Sequence, residues 1–163
     1  MSSEISFDAY MQIGGVKGES VQKDHKEWID VDTFSYGVTR GSNMDLGGGT
    51  TGKASFPGVS FVHLVDSTSP TLFQFCASGK HIEKCVLQVC KSTGDAGSVP
   101  FITVTLNDVV VTEVSPGGGS GGAPTENVVL SYAKIEVQVK SQQKNGQLGP
   151  AVIGTWDIKQ NTK

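Results

Sequence analysis

ENVVLSYAKIEVQV, Glu126 to Val139, is the stretch on which the fold turns. At period two, Val129, Ala133, Ile135, Val137 and Val139 fall on one side. Leu130, Tyr132, Lys134, Glu136 and Gln138 fall on the other. Alternation of this kind, carried by β-branched and aromatic residues, belongs to a strand and not to a helix. The segment Val128 to Val139 is therefore expected to be one long strand.

The same pattern recurs on both sides of it. Phe7, Ala9, Met11 and Ile13 alternate near the start of the chain, and Glu27 to Val38 and Val59 to Val65 are strand-like. Glu83 to Lys91 alternates through Cys85, Leu87 and Val89. Phe101 to Leu106 alternates through Ile102, Val104 and Leu106; Asn107-Asp108 interrupts, and Val109 to Val114 resumes. A last strand at Thr155 to Lys159 follows turns at Asn145-Gly146 and Gly149-Pro150. One segment departs from this. Ser69-Pro70, TLFQFCAS and Gly79 carry the punctuation of a short helix: a capping serine, a proline suited to the first turn and a glycine suited to the exit. Leu72, Phe73 and Cys76 share one face at spacings of three and four, so that face should lie on a sheet. The expected fold is mainly β: two β-sheets packed as a sandwich or barrel, one short α-helix on the side, in a single domain spanning 1–163. The glycine-rich stretches Gly47 to Gly52 and Pro116 to Pro124 are loops within that domain, since neither leaves two flanks large enough for separate cores.

Composition removes several function classes. With 163 residues and a formal net charge of −3, the chain has no basic surface to neutralise nucleic-acid phosphates. No apolar run approaches the roughly 20 residues of a membrane helix. Met1 to Asp8 carries acid and serine where a signal peptide would be basic and then apolar, so any export is expected to follow another route. Three cysteines, Cys76, Cys85 and Cys90, do not read as a disulfide framework. Cys85 and Cys90, five apart on a strand, should face opposite sides.

Motifs for chemistry are weak. GGGTTGKAS, Gly47 to Ser55, resembles a phosphate-binding loop, but Ala54 stands where magnesium needs Ser or Thr, and Phe56-Pro57-Gly58 denies it the following helix. Gly118 to Gly122 spells G-x-S-x-G around Ser120, yet it runs into Ala123-Pro124 and a strand instead of a helix. His25, His63 and His81 have no metal spacing, and the acidic run Asp24 to Asp32 reads as a solvated strand edge and turn. No catalytic, cofactor-binding or metal-ligating residue is expected.

Five ordered blocks then carry a resemblance over almost the whole chain. FDAYMQIGGVKGES (Phe7 to Ser20), CASGKHIEK (Cys76 to Lys84), VSPGGGSGG (Val114 to Gly122), ENVVLSYAKIEVQV (Glu126 to Val139) and GTWDIKQN (Gly154 to Asn161) resemble Hcp, the tube-forming family of bacterial type VI secretion. The resemblance implies a barrel-like body with a helix on one side. It implies homo-hexameric rings with a wide pore, stacked into a tube inside a contractile sheath, tipped by the VgrG spike and carrying small effector proteins. Such a protein is made in the bacterial cytoplasm and expelled to the extracellular space or a target cell. Because the chain ends at Lys163, just past its last strand, no enzymatic extension is expected.

Two sets of site residues follow from the resemblance. It makes Arg40 to Pro57 a projecting loop that touches neighbouring subunits or the next ring, with Gly47, Gly48, Gly49, Thr50, Thr51, Gly52 and Lys53 as contact candidates. It also sets the strand Asp32 to Val38 on the pore wall. There Phe34 and Tyr36 make the better core face, which turns Thr33 and Ser35 outward as candidates to meet cargo. Two alternatives from other classes stand beside this: a monomeric β-sandwich module binding a glycan or peptide, and a small hydrolase using Ser120.

Overall fold

β9 (Thr125–Gln142) organises the molecule, because three strands pair with it. β8 (Ser98–Gly117) runs antiparallel along nearly its whole length, β6 (Val59–Leu64) takes its first third, and β10 (Leu148–Asp157) takes its second half. In this computed structural model, which describes residues 6–43, 50–92, 98–145 and 147–163, the sheet continues through β7 (Ile82–Ser92), β1 (Phe7–Ile13) and β2 (Ile29–Val31) on one side and β3 (Thr33–Ser35) on the other. β2 and β3 are the two ends of the sheet, yet Asp32 alone separates them in sequence. The Asp32 N–H donates to Val62 O at 2.8 Å, so the sheet curls almost into a closed barrel. Closure removes most of the free edge that an open sheet would expose. The strand-like run Glu27 to Val38 is thus two short strands broken at Asp32, where the chain passes from one barrel partner to the other.

Mainly β with one helix is the architecture observed, but its two sheets are unequal. The second sheet is a two-stranded hairpin, β4 (Thr39–Asn43) and β5 (Thr50–Ser55). Arg40 to Pro57 is therefore a paired arm and not simply a loop.

The core face of the long strand does not keep one parity. Val128, Leu130 and Tyr132 are buried in its first part, Ile135 in the next. The inward side changes parity between Tyr132 and Ile135, so the side bearing Ile135 and Val137 faces inward only beyond that point. β8 changes between Leu106 and Val109, and β7 between Ile82 and Cys85. Register places all three changes on one line: Val109 lies opposite both Tyr132 and Ile82, and Leu106 opposite both Ile135 and Cys85. Two residues between consecutive inward side chains mark a bulge-like corner in each strand. Asp108, at φ 54°, supplies the left-handed residue at that corner. The Asn107-Asp108 interruption is thus where three strands bend together, within one 20-residue strand.

α1 (Ser69–Ser78) exits through Gly79 at φ 65°, as its sequence predicts. Its capping position is Thr68, which makes no side-chain cap; Asp66 instead accepts the Thr68 N–H at 2.8 Å. Ser69, Leu72 and Phe75 are buried, whereas Phe73 is 63 % exposed. The buried stripe is therefore shifted by one position from the Leu72–Phe73–Cys76 face, because the helix presents Phe75 to the barrel. Beside α1, His63 and Glu126 face each other across β6 and β9 with Nε2 and Oε1 2.9 Å apart, and both are at most 2 % exposed. A buried carboxylate needs such a partner. Asp66 lies 3.6 Å from the other ring nitrogen, so the cluster ties the α1 approach to the barrel end.

Candidate functional site

The outer face of β3, β6, β9 and β8 follows from register. Ser35 lies opposite Ser60, Ser60 opposite Val129, and Val129 opposite Glu113. Residues directly opposite share a face, so these four form one row. A second row, two residues along, holds Thr33, Val62, Asn127 and Ser115. Thr33 and Ser35 are exposed, while Phe34 and Tyr36 pack against the core. Their rings lie nearly parallel with centroids 6.4 Å apart.

The rows are knitted by side chains. Ser35 Oγ and Ser60 Oγ are 2.6 Å apart, a hydroxyl pair in which one donates to the other. Asn127 Nδ2 donates to Glu113 Oε2 at 2.8 Å, and Thr112 Oγ1 donates to Val129 O at 3.3 Å. The result is a wall of small hydroxyls and one amide with valine between them and one carboxylate, that of Glu113.

The hairpin arm stands apart from this wall. Among its contact candidates, Thr50, Thr51, Gly52 and Lys53 lie on β5, and Gly47, Gly48 and Gly49 lie outside the described residues. Gly52 has a job inside the arm itself: a Cβ there would sit 2.9 Å from Gly41 O, at the register shift between Arg40 and Ser42. Arg40 Nη1 donates to Gly52 O at 3.2 Å and clasps the same point. Where the arm meets the barrel, an apolar groove of about 470 Å³ opens, lined by Tyr36, Val38, Phe56, Val137 and Trp156 among others. Val152 and Ile153, on the outermost strand β10, are 74 % and 54 % exposed. Grooves and apolar edges of this kind mark contact surfaces.

Elsewhere the chemistry is structural. His25, in the run read as solvated, is 1 % exposed: it stacks on Tyr10 and its Nδ1 lies 2.7 Å from Gln22 Oε1, which also accepts the Asp24 N–H. Cys90 Sγ lies 3.9 Å from His25 Nε2, on the face of β7 opposite Cys85 in the core. All three cysteines are free. Burial pushes the Cys85 thiol up to about 12, against a small opposing effect of the Gly14 backbone. At the corner, the Lys159 ammonium and then His81 hold the exposed Asp108 carboxyl below its ordinary range. Ser120 sits in an exposed turn leading to β9, not to a helix. No group of three His, Cys, Asp or Glu side chains among the described residues could hold a metal ion.

The barrel, the flanking helix and the hairpin arm have counterparts among known proteins. The family described as "Type VI secretion system effector, Hcp" matches residues 10–139. Protein hcp1 of Pseudomonas aeruginosa is 38% identical over 164 residues, covering 98% of this chain and 99% of that protein. The chain belongs to the Hcp family. A solved type six secretion system protein superposes with a TM-score of 0.89 at 27% identity, covering 96% of this chain and 99% of the other. Hcp1 of Salmonella typhimurium superposes with a TM-score of 0.77 at 30% identity, covering 96% and 98%. As an Hcp protein, the chain is a type VI secretion component with a barrel-like tube-protein fold.

Proposed function

We propose that this Hcp chain is the structural subunit of a type VI inner tube. Six copies close into a ring, and rings stack inside the contractile sheath behind the VgrG spike. The protein assembles in the bacterial cytoplasm and leaves the cell with the spike, carrying small effector proteins in its pore. Its role is mechanical, not catalytic. The observation that carries this reading is correspondence with Protein hcp1 over 98% of the chain at 38% identity.

The surface gives physical support. A closed ring needs a heterologous interface, in which one face of a subunit meets a different face of the next. The outer edge of β10, with Val152 and Ile153 exposed, and the groove at the base of the arm supply apolar area for such contacts. The wall bearing Ser35 and Thr33 is mostly polar, as a lumen that must hold and release proteins requires. The arm β4–β5, which carries Thr50 to Lys53 on β5, is the element assigned to neighbouring subunits or rings.

Negative-stain electron microscopy of the purified protein tests this reading. Annular particles with six-fold symmetry are expected, and their absence at micromolar protein concentration would overturn it. A monomeric binding module is the second reading, favoured by the aromatic residues Tyr36, Phe56 and Trp156 in the groove.

A further inference from the structure

We infer that Glu113 determines which proteins the wall accepts, by taking an arginine or lysine side chain of the cargo. The inference rests on the pore-wall reading of this face and deepens it. Glu113 is the one charged group in the two rows that run across β3, β6, β9 and β8. It is exposed, and none of the ion pairs found among the described residues involves it. Its position is nevertheless fixed, because Asn127 Nδ2 donates to Oε2 at 2.8 Å. That bond engages Oε2 and leaves Oε1 with no hydrogen-bond donor among the described residues. A carboxylate oriented by one amide bond, with an open oxygen and no cation of its own among the described residues, is complementary to a guanidinium or ammonium group.

The neighbouring row positions match the rest of such a side chain. Val129, directly opposite Glu113, offers apolar surface for an arginine or lysine stem. Beyond it, Ser60 and Ser35 bond to each other and leave one hydroxyl proton free. Three strand spacings separate Ser35 from Glu113, about 14 Å. A short extended segment of cargo laid across the strands would reach both ends of the row. In a closed ring the row repeats in every subunit, so weak single contacts add by avidity.

Glu113→Gln separates recognition from structure, since glutamine keeps an acceptor for Asn127 and removes only the charge. The probe is a fluorine-labelled pentapeptide, Ser-Gly-Arg-Gly-Ser, compared with its neutral citrulline counterpart by fluorine relaxation. For one exposed pair the wild type should prefer the arginine peptide by about two- to fivefold, and 0.5 M salt should erase the preference. Glu113→Gln should abolish the preference without changing melting temperature or assembly mass. An undiminished preference in Glu113→Gln, or none in the wild type, would overturn the inference. A monomeric mass with the arginine preference intact would instead overturn the ring reading and leave the cation contact at Glu113 standing.

Discussion

Ser35 presents a small hydroxyl toward the open side of its row, bonded only to Ser60. Replacing it with glutamine fills that space while leaving the aromatic inward face, Phe34 and Tyr36, untouched. Ser35→Gln should therefore form rings at the wild-type level and retain less of a small effector co-expressed with it. Co-purification on size-exclusion chromatography reads both quantities; loss of rings would mean that the residue serves assembly instead. Outward placement of Ser35 was legible in the sequence because period-two alternation holds across a short strand. Burial of His25 was not: the cover over β1 and β7 comes from a loop whose course no local pattern encodes. Cysteine chemistry gives a second residue-scale prediction. Cys85 is buried with its thiol pushed up to about 12, and Cys90 is also fully buried. A folded sample should label only at the half-buried Cys76 with a thiol reagent at pH 8, and all three should label in denaturant. Rapid native labelling at Cys85, read by peptide mass, would contradict the core described here.

Helix α1 shows how an element can be legible in outline and misread in detail. Pro70 and Gly79 fixed its ends within one residue, because caps are local chemistry. Its buried stripe depends on how the axis is rolled against the barrel, which sequence spacing alone left one position off. Phe75→Ala should cost about 3–5 kcal/mol, since it removes a buried aromatic. Phe73→Ser should change stability by no more than about 0.5 kcal/mol, as expected for a surface position. Urea unfolding of the two variants decides between the two faces. The strands behave similarly. Alternation gave their existence and approximate extent, but the parity change at Tyr132–Ile135 and Leu106–Val109 arises from a corner shared by three strands, a tertiary event. The arm β4–β5 was hidden for a different reason: its glycine and hydroxyl content resembles a loop, whereas Gly52 is there to let its strand approach the Gly41 backbone closely. Trimming residues 40–57 to a tight turn should leave the barrel folded and reduce tube formation or secretion. Normal secretion by the trimmed protein would free the arm of that role.

At the scale of the whole molecule, the barrel nearly exhausts its own sheet edges internally, and what remains open is concentrated on β10 and around the base of the arm. Such a distribution favours contact with two different neighbours, which is the requirement for a ring. The type VI character of the chain was legible in five ordered sequence blocks; the wall chemistry around Glu113 was not, because it joins residues from β8 and β9 that only register brings together. The central claim is closure into six, and native mass spectrometry at micromolar concentration tests it most directly. Six chains of 17.1 kDa predict a dominant species near 103 kDa. A spectrum containing only the 17.1 kDa monomer would contradict the account.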